Sequence, residues 1–525
     1  MNPLYLSHAT KSPPKLLMAL SSLIGVILIL ASTSRYGIGL TSDSVGYIAV
    51  ARNLIAGNGV INYDGTYHVS QPPFYPALLA IMGYTFGTDP FLVARLVNAS
   101  IFGFIIYLSA IIVFRYTHSL LLTIIILGMI LFKNPLIDVS IMAWSEPLFI
   151  CLILLFFLCA EAYLVKKSIP LLILLSGIVA LISLTRYIGI TLIATGGLAI
   201  LLLCRISFKE KILHLFLFGF ISVIPMGGWI FRNYVFSGTF TGERVPSVVP
   251  IFDNMSSVLY GIYSWLFPGN ILQYRFVLTS VHLVVLILGC VAIGYVWKFT
   301  SRKERLNVLK NAVPQVGTIA IFVIVYLIFL IISATVIAQE IDNRLLSPLY
   351  IPVMVLVLFF VQKWTELMEK YISKRKVYQV LIAFTVIILL YSLIFIVSET
   401  KIRMTQGVTG YTSDIWQKSE TIQYLQNHTL ESNYPIYSNA PDVLYILANI
   451  NGGQMSPRKA AHWLSPIIND ISQISWPKHT KIYLIWFDNM ERSYLFTVDE
   501  LKTIANISPV IHFADGVIYT VAKKD

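Results

Sequence analysis

Thr41-Ser-Asp-Ser-Val-Gly-Tyr-Ile-Ala-Val-Ala-Arg-Asn-Leu-Ile-Ala-Gly-Asn-Gly59, continued by Val69-Ser-Gln-Pro-Pro-Phe-Tyr-Pro76, is the first polar stretch after the first long apolar run. From Val45 the apolar positions Val45, Ile48, Ala49, Ala51 and Ile55 recur at helical spacing, with Arg52 and Asn53 on other faces. Gly57 and Gly59 then stop the helix. The pattern predicts an amphipathic helix lying on the outer membrane surface, with Asp43 presented where a membrane-exit loop turns into it.

Composition supports a membrane setting. The chain has 525 residues, 57% hydrophobic and 12% charged, with a mean hydropathy of +0.75. Soluble globular proteins carry roughly 25% charged residues, so this is an integral membrane protein. The formal net charge of +12 is spread over short loops between apolar runs, which is a topology signal and not a nucleic-acid-binding surface. The cysteines Cys151, Cys159, Cys204 and Cys290 fall inside or at the ends of apolar runs, without metal-ligand spacing.

About eleven spans are predicted, at 16–32, 93–114, 119–132, 141–165, 169–182, 188–204, 213–231, 276–297, 312–337, 345–361 and 378–397. The segment 76–87 is too short to span and reads as interfacial or re-entrant. With the N-terminus inside, the inner loops hold Arg115, Lys166, Lys167, Arg205, Lys209, Lys211, Lys298, Arg302, Lys303, Arg305, Lys310, Lys363, Lys370, Lys374, Arg375 and Lys376. The outer segments 33–92, 133–140, 183–187, 232–275, 338–344 and everything after about 398 hold only scattered cations, so the positive-inside rule is met at every turn.

The outer cations are mostly arginines: Arg35, Arg52, Arg95, Arg186, Arg232, Arg244, Arg275 and Arg344, with Lys133 the exception. A planar fork of donors suits phosphate or carboxylate, so an arginine-lined face beside lipid suggests an anionic headgroup. Interfacial snorkelling is the bland alternative for any one of them. After Thr400 the composition changes. Runs at 435–438, 481–487 and 516–521 read as short strands, and 413–428, 440–448, 457–464 and 497–507 as helices. The expected division is a membrane part over 1–400, with a first external loop at about 33–92, and a small outer α/β domain over 401–525. The missing internal repeat argues against a secondary transporter.

Each candidate for chemistry has a plainer reading. Asp43, in Ser42-Asp43-Ser44, could be a helix cap. Asp64 is better explained as a turn residue. Glu146 opens an otherwise apolar helix, where an acid at membrane depth is a functional candidate and a first-turn Glu also suits the helix dipole. Asp342 and Arg344 share a tight outer loop and could simply pair with each other. Arg186 and Tyr187 lie between two spans. His462 and Trp463 could belong to a carbohydrate-facing surface, or to a packed interface.

Asp43-x-x-x-Tyr47, a helix ending at Gly57-Asn-Gly59, and Gln71-Pro-Pro-Phe-Tyr-Pro76 together resemble the first external loop of the GT-C glycosyltransferases, in particular the protein O-mannosyltransferase and aminoarabinose transferase branch. Trp144-Ser-Glu-Pro-Leu-Phe149, Thr185-Arg-Tyr187, Phe231-Arg-Asn233 and Asp342-Asn-Arg-Leu-Leu-Ser-Pro348 fall where such proteins often carry similar segments. The resemblance covers about 16–400. It implies a polytopic α-helical, GT-C-like membrane protein that moves a sugar from a polyprenyl-phosphate-linked donor to a glycan, lipid or protein acceptor outside the cytoplasmic membrane, with inversion. Asp43 would be the general base and Glu146 a second catalytic acid that orients a sugar or an arginine. Arg344, Arg52, Arg186, Tyr47, Asp342 and Gln71 would bind substrate or lipid phosphate. Some relatives carry a basic residue or Glu before the Pro-Pro pair and a second acid beside the loop Asp, where this chain has Gln71 and Ser44. No metal or other cofactor is therefore expected to be required. The rival readings are a lipid-linked-sugar flippase without transferase chemistry, whose key acids should lie near mid-membrane, and a lipid-regulated scaffold.

Overall fold

The computed structural model describes residues 13–265, 300–369, 373–430, 434–462, 464, 467 and 469–524. The expected span 276–297 with Cys290, and Lys11, Arg275, Lys298, Lys370 and Trp463, lie outside the described residues.

The first half of the chain forms helices α1 (Lys15–Ser32), α2 (Ser42–Ile55), α3 (Phe74–Phe86), α4 (Pro90–Thr117), α5 (Leu120–Phe132), α6 (Asn134–Ser140) and α7 (Glu146–Lys166). There follow α8 (Ile169–Thr185), α9 (Ile190–Leu203), α10 (Phe208–Ser237), α11 (Ile251–Ser264), α12 (Arg302–Val336), α13 (Asn343–Met368) and α14 (Lys374–Gln406). Six of these are long and apolar enough to cross a membrane, namely α1, α4, α7, α10, α12 and α13; α5 and α6, bent by 50°, would make a seventh. The 17-residue α8 is shorter than a usual span.

The expected span 141–165 starts late. Residues 141–143 form a turn held by an isolated bridge between Gly39 and Met142: Gly39 accepts from the amide of Ala143 at 2.9 Å and donates to the carbonyl of Ile141 at 2.8 Å. This bridge seats the loop after α1 against the entrance of α7 and so brings Asp43 near Glu146. Buried Asn98 on α4 holds the same corner, donating to the Met142 carbonyl at 2.7 Å and accepting from the Tyr75 hydroxyl at 3.0 Å.

The expectation for α2 needs correction. It does not lie open on a surface: Val45, Tyr47, Ile48, Ala49, Val50 and Ala51 are all buried. The reason is that α2 contacts α3 and α4 and is also covered by a helix of the C-terminal region, Pro441–Ala448.

That C-terminal region carries a five-stranded sheet of strands β1 (Ile436–Ser438), β2 (Gln454–Met455), β3 (Lys481–Phe487), β4 (Ala505–Phe513) and β5 (Gly516–Lys523), in the order β2-β1-β3-β5-β4. β1 is parallel to β2 and β3, whereas β5 is antiparallel to β3 and β4. Of two expected helices, one is absent among the described residues and one is cut short. Over 457–464, the carbonyl of Pro457 and the amides of Lys459 and Ala460 bond instead to the 494–496 segment. The 497–507 helix ends at Leu501, since Ala505 already pairs with Lys523 in the β4–β5 ladder. Gly410 (φ +85°) lets this region approach the membrane part, since a Cβ there would sit 2.0 Å from the Leu40 carbonyl oxygen. The next amide, Tyr411, donates to that oxygen at 2.9 Å.

Candidate active site

Asp43 is the second residue of α2, with Thr41 and Ser44 forming the capping box. The cap is thus complete without it, and the carboxylate is turned to other partners. Its Oδ2 accepts from Nη1 of Arg344 at 2.7 Å and its Oδ1 from Nε2 of Gln71 at 2.9 Å. Gln71 reaches it because Pro72 and Pro73 fix the loop leading into α3. Arg344 sits in the first turn of α13, whose cap is Asp342, accepting from the Leu345 amide at 2.9 Å. Asp342 therefore caps the helix, and Arg344 is left to pair elsewhere.

Arg344 also donates from Nε to Glu146, and Arg186 donates to the same carboxylate oxygen. Glu146 is fully buried, whereas Asp43 is one-third exposed. Two acids and two arginines thus form one charge-balanced network drawn from four distant segments. Ser145 extends it, contacting the Tyr47 hydroxyl at 3.1 Å and accepting from Arg186 at 3.2 Å. The Trp144 ring lies 4.3 Å from the Arg344 guanidinium carbon, and its Nε1 donates to Thr41 at 2.9 Å. This packing leaves little freedom to either arginine.

The network forms one wall of a cavity of about 840 Å³. Asp43, Tyr47, Gln71, Arg186, Asp342 and Arg344 line it; Glu146 does not, and acts behind the wall by holding the two arginines. Arg52 is elsewhere, forked onto Asp89 at 2.8 and 3.2 Å, with its guanidinium carbon 5.4 Å from the Tyr445 ring centre. The lining also includes Glu243, Arg244, Glu340, Arg458 and His462. Of these, Glu243, Glu340 and Arg458 were not singled out by pattern, because they lie in irregular segments whose approach depends on the fold. Tyr187 also lines the cavity, and its hydroxyl donates to the Val69 carbonyl at 2.7 Å.

Burial would raise the Asp43 carboxyl, but the charge and hydrogen bond of Arg344 outweigh it and hold the group below the usual carboxylate range. Burial, aided by Asp43, pushes the Tyr47 hydroxyl up to about 12. Burial also raises Asp342, against the pull of the Leu345 amide. At neutral pH the cavity thus presents an ionised Asp43 beside a neutral phenol and fixed guanidinium groups. Such a wall can accept a proton and stabilise an anion. Among the described residues, no three His, Cys, Asp or Glu side chains gather as a metal site.

Fold and site together define a polytopic membrane protein with a GT-C-like architecture and a charged cavity beneath a small α/β region. Solved structures of the same fold include ArnT from Cupriavidus metallidurans in the apo state, 13% identical, covering 96% of this chain and 97% of that one with a TM-score of 0.57. The same protein bound to undecaprenyl phosphate matches at 13% identity over 96% and 97% of the two chains, with a TM-score of 0.55. The Archaeoglobus fulgidus oligosaccharyltransferase in complex with zinc and sulfate is 12% identical over 96% of this chain and 72% of that one, with a TM-score of 0.54. At these identities the likeness is one of fold. No protein-family model matches the sequence, and no curated protein matches it.

Proposed function

We propose that this chain is a glycosyltransferase that moves a sugar from a polyprenyl-phosphate-linked donor to a hydroxyl of a glycan, lipid or protein acceptor. The observation that carries the reading is the Asp43–Arg344–Glu146–Arg186 network on the wall of a large cavity. Asp43 removes the acceptor proton as the acceptor oxygen attacks the anomeric carbon from the face opposite the phosphate. The carbon–oxygen bond to phosphate breaks, its electron pair stays on the phosphate, and the sugar is inverted. A phosphate leaving group needs positive charge more than an acid. Arg344 has Nε and Nη1 on carboxylates, leaving Nη2 to meet that charge, with Arg186 beside it. Glu146 is assigned to positioning these arginines. Asp342 and Gln71 serve by shaping the wall, and Tyr47 by offering a neutral hydroxyl. The similarity of fold to an undecaprenyl-phosphate-bound structure supports the lipid donor.

The distribution of lysines supports a cytoplasmic N-terminus and an extracytoplasmic cavity and C-terminal region over about 401–525, in a cytoplasmic membrane. No metal is required in this reading. The test is transfer from a panel of short-chain polyprenyl-phosphate hexoses and pentoses by purified wild type and Asp43→Asn, with and without EDTA. Transfer that collapses in Asp43→Asn while donor binding is kept supports the assignment. Equal transfer by both would falsify Asp43 as the base, and saturable lipid binding without transfer from any donor would favour a flippase.

A further inference from the structure

Helix α11 is built inside out for a protein in water. The residues it turns inward are Asn254, Val258 and Gly261, all buried, with Ile262 packed against the core and Trp265 buried at its C-cap. Other large apolar residues face outward, with Phe252 75%, Leu259 67%, Tyr260 62% and Met255 44% exposed. Phe252, Met255 and Leu259 follow at intervals of three and four residues and so share one face. The inner face is firmly held, so this orientation is fixed. Asn254 donates to Thr335 at the end of α12 at 3.1 Å, and Ser264 to Asn343 at the start of α13 at 3.0 Å. A Cβ on Gly261 would lie 2.2 Å from Leu346, so the helix approaches α13 more closely than a side chain allows.

The outward face continues the exposed apolar flank of two candidate membrane-crossing helices. α10 and α12 are long and apolar enough to cross a membrane. Near the same ends they expose Phe231 at 69% and Val235 at 60%, and Ile332 at 53% and Val336 at 62%. α11 lies across the end of this belt, and Val248, just before it, is 63% exposed. We propose that α11 is a membrane-surface helix whose Phe252–Met255–Leu259 face enters the headgroup–acyl boundary of the leaflet on the cavity side. The occupant is the bilayer itself, and the attraction is apolar: 245–274 contains no Lys or Arg to seek anionic headgroups.

This placement has a consequence for the cavity. The segment joining α10 to α11 supplies Thr241, Glu243, Arg244 and Val245 to its lining. Val245 and Ser247 are bonded to Ala338 and Val336, which ties this stretch of the cavity lining, and α11 after it, to the top of α12. A membrane-seated α11 therefore fixes the cavity mouth at headgroup depth. The inference concerns depth alone and stands apart from the sugar-transfer reading.

The test uses full-length protein with its four native cysteines replaced by alanine, carrying Phe252→Cys, Leu259→Cys or Asp499→Cys labelled with an environment-sensitive nitrobenzoxadiazole. Asp499 is 89% exposed on the C-terminal region and serves as the aqueous reference. Each protein is reconstituted into phosphatidylcholine vesicles with nitroxide-bearing lipids, with and without anionic lipid. The expected result is quenching at 252 and 259 at least about twofold above the reference, greatest for nitroxides near the headgroup end, and unchanged by anionic lipid or salt. Quenching no greater than at 499, or quenching that appears only with anionic lipid, overturns the proposal. Blue-shifted emission without quenching also overturns it, since protein would then cover the face.

Discussion

Arg344 Nη1 donates to Asp43 Oδ2 at 2.7 Å across 301 residues of sequence, joining the first turn of α13 to the first turn of α2. The same guanidinium is held from behind by Glu146 and flanked by the Trp144 ring. One arginine thus fixes both the proposed base and the place where negative charge would develop.

If Asp43 is the base, Asp43→Asn keeps the shape and the Gln71 contact but removes the proton acceptor. Transfer is expected to fall at least about 100-fold, with donor affinity changed far less. Single-turnover transfer measured beside lipid binding checks this, and a drop in binding alone would reassign Asp43 to positioning.

Glu146→Gln tests the supporting role of the buried acid. Removing one partner of a buried charge network costs about 3–5 kcal/mol, and here it leaves Arg186 and Arg344 facing each other without their shared carboxylate. The expected outcome is a lower unfolding midpoint in detergent than for Asp43→Asn, whose carboxylate is one-third exposed. A midpoint equal to wild type would show that the two arginines do not depend on Glu146.

Arg52 behaves as a tie within the external loop. Its pair with Asp89 is 31% and 38% exposed on the two sides, so a double-mutant cycle should give only about 0.5 kcal/mol. Arg52→Ala is expected to transfer sugar at close to the wild-type rate. Loss of donor binding in that variant would return Arg52 to the substrate-binding set.

Acid sensitivity should arise at two groups. Burial pushes His68 down to about 4 from 6.5, although Asp43 pulls the other way. Below pH 6.5 the unfolded chain therefore takes up a proton that the folded one refuses. Stability is full above that value and declines as the pH falls towards 4, by up to about 3 kcal/mol. Thermal unfolding at pH 7 and pH 5 should show the decline, and His68→Phe should flatten it. Asp43, depressed from 3.8, contributes stability that is present above that value and is lost as the pH falls through its lower folded value. The acid limb of kcat/KM should accordingly lie below the ordinary carboxylate range, and a limb near pH 6 would point to a different base.

The helices were legible because runs such as 93–114 and 312–337 are predominantly apolar around their whole circumference, which only a buried or lipid-facing helix tolerates. The short α2 was legible from its spacing, yet its cover by Pro441–Ala448 was not, because the covering residues are about 390 positions away in sequence and have their own local reasons to be apolar. The 497–507 segment failed for a related cause: pairing with β5 outweighed the local helical pattern. Asp342 and Arg344 looked like partners in a tight loop, but the cap on Leu345 took one and Glu146 the other.

By itself the sequence determined the membrane class, the positions of most helices and the set of acids and arginines expected on one face, since each depends on hydropathy and local spacing. Only the tertiary structure decided which carboxylate faces the cavity and which stands behind it. Asp43 and Glu146 are both first-turn acids. What separates them is the Gly39 bridge to residues 141–143, which buries one carboxylate against two arginines and leaves the other open to the cavity.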